Sequence, residues 1–317
     1  MSYIRKTSLI LLGGFFLIIS IISLSCATPP ADPAWDSLVS FSTLAAVEPH
    51  WRQFAYGVNF LHGKTTIPKL EFWVLQIDLT PPDVLDSDSQ TERSDKPTVR
   101  IVVRSGATDE NGALSTRVSS FVHGNNLLAG INAVPFDVIS SREGRPIVNM
   151  GLVISGGKLL APANPRYDAL VFYKDGMAAI VSQQEINSIE EIENAVGGFH
   201  QILADGRPMQ RTLGREERHP RSAAGISDGG EYLYLLVIDG RRADSIGATE
   251  EESALLLLSL GCRDGINFDG GGSSTLAMRY PDGKVRAVNT PIHGGIPGIE
   301  RAVAGCIGIA LNPSTGK

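Results

Sequence analysis

Clustered basic residues are absent from this sequence of 317 residues. The chain has 28 Lys and Arg against 34 Asp and Glu, which gives a formal net charge of -6. Affinity for nucleic acids rests on clusters of Lys and Arg that neutralise phosphates, and an acidic surface repels polyanions. We therefore expect no nucleic-acid partner, and an anionic substrate must be held by a local site.

Cysteine is scarce, with three residues at Cys26, Cys262 and Cys306. No CxxC or HExxH spacing accompanies them, so the sequence predicts no zinc site. It predicts no cofactor either, and it leaves a requirement for a divalent metal open. Cys262 and Cys306 either form a disulfide, as befits an exported protein, or remain two buried thiols.

Long apolar runs are rare, and the clearest one covers residues 9–22, just after Arg5 and Lys6. It is shorter than the roughly 20 residues that a membrane-spanning helix needs, and small residues follow it up to Cys26. The pattern predicts an export signal over residues 1–26. Because the residues before Cys26 resemble a lipoprotein signal, we expect lipid on Cys26 and anchoring to a membrane of the cell envelope. An ordinary cleaved signal and an uncleaved anchor are the alternatives.

The rest of the chain is expected to form one domain. A tether rich in Pro and Ala is predicted over residues 27–40, and no repeat or boundary divides residues 41–317. The 34 Gly and 18 Pro indicate many tight turns and favour sheet over a helical bundle. We expect an α+β fold with a mixed, largely antiparallel β-sheet core and a few flanking helices. The polar stretch 80–97 predicts a solvent-exposed loop.

Apolar and β-branched runs predict the strands, with hairpin turns at Gly156-Gly157 and Asp175-Gly176. The predicted strands cover residues 70–79, 98–103, 128–133, 147–154, 169–173, 233–238 and 303–309.

Two capping-box signatures predict helices. The first helix begins after Ser188, carries apolar residues at helical spacing and ends at Gly197. The second begins after Thr249, which is followed three residues later by Glu252, and ends at Gly261.

The densest glycine-rich signal follows a short apolar strand at residues 266–274. Its candidate site residues are Asn267, Asp269, Gly270, Gly271, Gly272 and Ser273. Three successive glycines can place backbone N–H groups around an anion such as phosphate. A phosphate bound in such a nest would repel the Asp269 carboxylate unless the carboxylate faces a different substrate atom, such as the sugar carbon under attack. The alternative is a glycine-rich turn that Asp269 caps.

Further candidate residues lie in three other segments. Arg221 is suited to a bidentate clamp on phosphate, and Asp239 follows an apolar strand at whose end a carboxylate can enter a cleft. His219 is a candidate general acid or base. Taken singly, Arg221 also fits a surface ion pair, Asp239 a turn and His219 a structural role. The remaining candidates are Asn132, at the end of a strand, and Glu300 and Arg301, which precede the final predicted strand.

The stretch 267–274 resembles the most characteristic motif of the phosphodiester glycosidase family, with Phe268 in place of the usual leucine. The segments around His219 and Asp239, the capped helix and Glu300-Arg301 are similar to the family's pattern in order and spacing. The resemblance covers residues 128–311. Residues 133–137 depart from it, which bears on the shape of one cleft wall and hence on the substrate.

The resemblance implies an exported hydrolase that cleaves the glycosidic bond of a sugar-1-phosphodiester or a related cell-envelope glycan. The products are a free sugar and a phosphate monoester. Asp269 is the first choice for the catalytic carboxylate and Asp239 the second. Arg221, Arg301 and the glycine N–H groups would stabilise the departing phosphate, with His219 as a candidate acid or base.

In the same reading, Asn132 and Asn267 would orient sugar hydroxyls. Glu300 would be a third acid or the ion-pair partner of an arginine. Two alternatives stay open. One is a metal-dependent phosphodiesterase with Asp269, Asp239 and His219 as ligands, and the other is a non-catalytic envelope lipoprotein that binds glycans.

Overall fold

The computed structural model describes residues 34–80, 98–105, 108–109, 112–215 and 217–312. The predicted export signal with Cys26, and the predicted loop 80–97 beyond its first residue, lie outside the described residues. Within these ranges, no helix combines the length and the apolar character that crossing a membrane requires.

Two α-helices are described, α1 (Val118–Gly124) and α2 (Glu250–Ser259). The strands in chain order are β1 (Leu38–Thr43), β2 (Arg52–Ala55), β3 (Val58–Ile67), β4 (Leu70–Asp78), β5 (Thr98–Ser105), β6 (Thr108–Asp109), β7 (Gly112–Leu114), β8 (Ala129–Asn132), β9 (Pro146–Ile147), β10 (Val153–Ser155), β11 (Lys158–Ala161), β12 (Asp168–Tyr173), β13 (Ala178–Ser182), β14 (Ile192–Gly197), β15 (His200–Ala204), β16 (Arg207–Pro208), β17 (Arg221–Ser227), β18 (Tyr232–Ile238), β19 (Cys262–Asn267), β20 (Leu276–Arg279), β21 (Val285–Ala287) and β22 (Gly305–Asn312).

These strands form four sheets. The largest has the order β1-β3-β4-β18-β17-β19-β15-β16, with β2 paired to β3. Two five-stranded sheets have the orders β11-β10-β14-β12-β13 and β21-β20-β8-β22-β5. The fourth sheet is small and has the order β6-β7-β9. Strand β1 runs parallel to β3, whereas the pairs inside the largest sheet that include β4, β17, β18 and β19 are antiparallel.

The core lies between the largest sheet and the two five-stranded sheets. Leu235 of β18, Ile131 of β8 and Leu170 of β12 belong to this one apolar cluster. The opposite face of the largest sheet is covered by α2, whose Leu257 packs with Leu236 of β18. Strand β18 is therefore buried on both faces, which explains its uninterrupted apolar run.

The predicted sheet architecture is confirmed, whereas the predicted α+β class is only loosely supported. The sheets are mixed and largely antiparallel as predicted, but the described structure is dominated by strands, and its α-helices have only 7 and 10 residues. The helix predicted after Thr249 is confirmed, and both hydrogen bonds of its capping box with Glu252 are present. Gly261 follows it with a φ of 99°, a conformation that favours glycine.

The helix predicted over 188–197 is wrong. Residues Ile192–Gly197 form β14, which pairs with both β10 and β12 in the middle of a five-stranded sheet. The Ser188 hydroxyl accepts the Glu190 N–H at 3.2 Å, so it caps a local turn instead of a helix. The apolar residues chosen for helical spacing are buried here because a central strand has two buried faces.

The structure adjusts two further predictions and confirms the hairpin turns. The predicted strand 147–154 is two short strands, β9 and β10, that belong to different sheets. The tether does not extend to residue 40, since Trp35 packs edge-on against Phe54 and Phe60 and β1 begins at Leu38. Both hairpin turns are confirmed, as β10–β11 and β12–β13.

The predicted disulfide is absent, and the alternative of two buried thiols holds. Cys262 and Cys306 are free and buried. Cys262 lies under α2 in one apolar cluster, whereas Cys306 packs with α1 in another. The described sheets and clusters are built from residues beyond 33, so a protein that begins at Ala27 keeps all of these contacts.

Candidate active site

The candidate site lies where several strands meet at their ends. β18, β19 and β8 end there at Ile238, Asn267 and Asn132, while β17 and β22 begin there. Because antiparallel neighbours alternate in direction, the ends of some strands adjoin the beginnings of others. Residues far apart in the sequence are brought together in this way.

Asp269 is anchored through its backbone. Its N–H donates to the Ala133 carbonyl at 2.9 Å, and its own carbonyl accepts the Asn132 side-chain amide at 2.6 Å. Asn132 in turn accepts the Ser222 hydroxyl at 2.7 Å and the Thr275 N–H at 3.0 Å. The carboxylate is thus held on a backbone that is fixed from both sides.

The Asp269 side chain is half-buried, and its carboxyl group is only partly hydrogen-bonded. Burial raises its pKa to about 6, against the opposing effects of a hydrogen bond from Ser273, the charge of Arg301 and the Gly270 N–H. Its Oδ2 is buried with no hydrogen-bond partner. Because an unpaired buried carboxylate oxygen is costly, this atom is arranged for a group that the protein itself does not supply.

Arg301 lies on the other side of the Ser273 hydroxyl. Its Nη1 donates to Ser273 Oγ at 3.1 Å, and its Nε donates to His293 Nδ1 at 3.2 Å. Burial lowers its pKa, and the charge of Asp269 opposes that shift. Arg301 therefore brings a positive charge to the Asp269 carboxylate, as its predicted place in the site requires.

The glycine-rich turn accommodates two guanidinium groups. A Cβ added to Gly272 would lie 2.5 Å from Arg301 Nη2, and one added to Gly271 would lie 3.0 Å from Arg241 Nη2. Gly271 also has a φ of 62°. The two guanidinium groups thus lie against the glycine backbone, so Arg241 joins the site although the sequence did not single it out.

The predicted nest of three free glycine N–H groups is wrong. The Gly271 N–H donates to the Pro220 carbonyl at 2.8 Å, and residues Gly271–Ser273 close a 3₁₀ turn. The Gly270 N–H bonds to the Asp269 carboxylate. The positive charges beside this turn are those of Arg241 and Arg301.

His293 is a site residue that the sequence analysis did not select. Its Nδ1 accepts a hydrogen bond from Arg301, so in the neutral ring the proton is on Nε2. Burial, followed by the charge of Arg301, lowers the pKa of His293 and favours this neutral form. Sequence spacing gave no signal for it, because only the fold brings His293 against Arg301.

Asp239 is placed as a structural carboxylate. It is 1% exposed and accepts hydrogen bonds from Arg242 at 2.5 Å, Asn289 at 2.9 Å and the Thr290 N–H at 3.0 Å. Burial raises its pKa to about 6. Since both oxygens are occupied, the structure gives it the role of holding the 289–290 segment, and its prediction as a catalytic group is not supported by this geometry.

Arg221 and His219 lie in a neighbouring ionic cluster. Arg221 Nε donates to the Ala248 carbonyl at 2.9 Å, and its Nη1 is 3.6 Å from Glu250 Oε1. Glu250 also bonds to His200 at 2.9 Å. His219 is partly exposed, 3.7 Å from Glu217. The predicted phosphate clamp at Arg221 would have to break its ion pair with Glu250.

Two of the predicted substrate contacts are internal hydrogen bonds. Asn132 is fully buried and its amide is used by the protein, so it positions Asp269 and does not bind sugar hydroxyls. Glu300 accepts the Ser119 N–H at 3.1 Å and caps the start of α1. Asn267 differs, because its buried Oδ1 has no hydrogen-bond partner and stays a candidate ligand group.

The ligand set of a metal-dependent phosphodiesterase is not assembled. Across the described ranges, no three His, Cys, Asp or Glu side chains converge as metal ligands. Asp239 is enclosed by Arg242, Asn289 and Thr290, whereas His219 lies beside Glu217. Asp239, Asp269 and His219 therefore do not fit one cation.

A comparison with known families places the chain. Residues 125–310 match the family described as phosphodiester glycosidase. The protein belongs to the phosphodiester glycosidase family. A relative in Bacillus subtilis, the SPbeta prophage-derived uncharacterized protein YomE, is 30% identical over 173 residues, which cover 51% of this chain and 25% of that protein. The chain therefore matches only about a quarter of the length of this relative.

Two solved structures share the fold. The catalytic domain of zebrafish N-acetylglucosamine-1-phosphodiester alpha-N-acetylglucosaminidase, auto-inhibited by its pro-peptide, has a TM-score of 0.59 and 18% identity, covering 85% of this chain and 86% of that one. A hypothetical protein from Synechocystis has a TM-score of 0.58 and 13% identity, covering 83% of this chain and 64% of that one. At these identities the likeness concerns the fold alone.

Proposed function

We propose that this protein hydrolyses the glycosidic bond of a sugar-1-phosphodiester. The observation that carries the proposal is the buried Asp269 carboxylate, which keeps one oxygen free while Arg301 lies beside the other through Ser273. A carboxylate facing a sugar carbon and a cation facing a phosphate are the two groups that such a cleavage needs. Membership of the family and the name of the zebrafish relative support the same reaction.

In the proposed reaction the bond between the anomeric carbon and the bridging oxygen breaks. The sugar takes its new oxygen from water, and the phosphate leaves as a monoester with the bridging oxygen. A phosphate monoester has a second pKa near 6, so it departs at neutral pH with little need of a strong acid. Arg301 and Arg241 stabilise its growing charge, and the Nε2–H of His293 is a donor for one of its oxygens.

Asp269 must be ionised to stabilise or attack the anomeric carbon, or to activate water. Its pKa of about 6 lets it be ionised at neutral pH while it remains poorly solvated. Asn267, with its unpaired Oδ1, accepts a sugar hydroxyl in this proposal. The sugar thus meets polar groups, and the phosphate meets the two arginines.

The proposal is tested by free-sugar release from an N-acetylglucosamine-1-phosphodiester in oxygen-18 water. The protein that begins at Ala27 is compared with its Asp269→Asn variant, with and without a chelator. Label in the sugar, loss of release in the variant and retention under chelation are the expected results. Label in the phosphate would favour a phosphodiesterase that breaks the P–O bond. Sugar binding without release from any sugar phosphodiester would favour a glycan-binding protein.

We further propose that residues 1–26 direct export and that Cys26 carries lipid, which anchors the protein in the cell envelope. The basis is the sequence pattern of Arg5, Lys6 and the apolar run 9–22. Fractionation of cells that express the full chain or its Cys26→Ala variant tests this. The full chain should be membrane-bound and labelled by a fatty acid, and the variant should lose the label. Equal labelling of both would contradict it.

A further inference from the structure

Six large aliphatic side chains are exposed on two loops beside the candidate active site. We call them the apolar rim, and they are Val138, Ile139, Val148, Met150, Ile296 and Ile299. Ile139 and Ile296 are 62% and 60% exposed. Isolated exposed aliphatics are ordinary on protein surfaces, but a group of them beside a cleft is typical of a binding site.

Hydrogen bonds tie the first loop to Asp269. The Ala133 carbonyl accepts the Asp269 N–H, and residues 134–139 continue directly from it. The loop folds back on itself, because Val148 N–H donates to the Asp137 carboxylate at 2.8 Å and Met150 N–H donates to the Pro135 carbonyl at 2.7 Å. Val138, Ile139, Val148 and Met150 are therefore carried by a loop that starts at the residue bonded to the Asp269 backbone.

The second loop is tied to Arg301. His293, whose ring accepts from Arg301, also donates its N–H to the Ile299 carbonyl at 3.0 Å and accepts the Ile296 N–H at 3.1 Å. The two loops meet where Ala302 N–H donates to the Ser140 carbonyl at 3.2 Å. The rim is thus a continuation of the site on its phosphate-binding side.

This placement separates the two ends of a sugar phosphodiester. The sugar end meets Asp269 and Asn267, and the phosphate meets Arg301. Under the proposed function, the group esterified to the far side of the phosphate is next to Arg301 and His293, and the His293 backbone is bonded to Ile296 and Ile299.

We infer that the alcohol esterified to the phosphate carries an aliphatic chain, which the apolar rim binds. The inference rests on the proposed function and names the class of substrate for the same site. Covering aliphatic side chains with methylene groups of a substrate removes both from water, which favours binding. A sugar-1-phosphate ester of a long-chain alcohol should therefore be cleaved in preference to one of a hydrophilic alcohol.

The test uses two N-acetylglucosamine-1-phosphate esters, one of n-octanol and one of glycerol, both kept below the concentration at which micelles form. The ratio of their kcat/KM values is measured for the protein from Ala27 and for the double variant Ile139→Ser/Ile296→Ser. Leu159→Ser, on β11 of a different sheet, is the control because Leu159 is also an exposed aliphatic residue. Thermal unfolding verifies that all three proteins are folded.

We expect the octyl ester to be preferred by about tenfold or more, an effect that burial of two or three methylene groups can supply. The preference should fall to near one in the double variant and persist in Leu159→Ser. A ratio near one in the parent protein, or a preference that the double variant retains, would overturn the inference. Vesicle binding that the double variant loses, together with a ratio near one, would assign the rim to a membrane surface instead.

Calorimetry with n-octyl phosphate, the expected product, separates this inference from the proposed function. If neither ester is hydrolysed, the proposed function fails. Binding of n-octyl phosphate that the double variant loses would still support an aliphatic subsite, and absence of binding to the parent protein would overturn it.

Discussion

Asp269 and Arg301 are joined through a single hydroxyl group, that of Ser273. Arg301 Nη1 donates to Ser273 Oγ at 3.1 Å, and Ser273 bonds to the Asp269 carboxylate. The two charges are close enough to shift each other's pKa, yet Asp269 Oδ2 remains free. Ser273 and Arg301 thus oppose the rise that burial causes in the pKa of Asp269, and they leave Oδ2 without a partner.

Replacing Asp269 by Asn should separate activity from stability. Activity should fall by about 100-fold or more because the reacting carboxylate is lost. Burial raises the pKa from 3.8 to about 6, so the native state loses stability as the pH rises through that range, by up to about 3 kcal/mol. The variant lacks this penalty and should unfold at the same or a higher temperature at pH 7.5. A lower unfolding temperature would show that the carboxylate stabilises the fold.

The acid limb of the pH profile should belong to Asp269. Because the ionised form reacts, kcat/KM should fall as the pH drops below about 6. Arg301→Gln removes a charge that lowers the pKa of Asp269, so the acid limb should move to higher pH. The rate should also fall. Arg263→Gln is the control, because Arg263 pairs with Asp205 at the surface. An unmoved limb in Arg301→Gln would argue against their electrostatic coupling.

Replacing Asp239 by Asn should be less favourable for stability than the same change at Asp269, although burial raises the pKa of both carboxyl groups to about 6. Three donor groups converge on Asp239, from Arg242, Asn289 and Thr290. An amide there leaves a donor facing a donor, so the free energy of unfolding should be about 2 kcal/mol lower for Asp239→Asn than for Asp269→Asn. Denaturant unfolding measures this difference. Residual activity should keep its acid limb near pH 6, and loss of that limb would assign it to Asp239.

Cys262 and Cys306 should be unreactive in the native protein. Both are buried, and burial raises the pKa of each thiol, which disfavours the reactive thiolate. A thiol reagent should modify them only after unfolding, and a reductant should leave the unfolding temperature unchanged. Intact-mass measurement under oxidising conditions provides the check, since a loss of two hydrogens would reveal a disulfide.

Much of the strand pattern could be predicted from the sequence. The run that became β18 is apolar throughout and most of β4 is apolar, because both faces of the largest sheet are covered. The same property misled the prediction over 188–197. Ile192 and Val196 of the short strand β14 are four residues apart, a spacing that also fits a helix. Only the pairing of β14 with β10 and β12 decides between helix and strand.

The site was found in the sequence, but several side-chain roles were not. The glycine-rich stretch identified Asp269 and Ser273, because glycines mark close approach of other groups. The sequence could not show that the Asn132 amide donates to the Asp269 carbonyl or that Asp239 is enclosed by three donors. His293 and Arg241 were missed for the same reason, since tertiary packing alone brings them to the turn.

The position of β22 also governs when the site can exist. Gly305–Asn312 inserts between β5 and β8, which precede it by more than 170 residues, and Arg301 lies just before it. Pairings of such long sequence separation form slowly, because a large loop must close first. During synthesis, the sheet lacks strand β22 until residue 312 has emerged from the ribosome. We therefore expect Asp269 and Arg301 to come together only after β22 has been synthesised and has paired with β5 and β8.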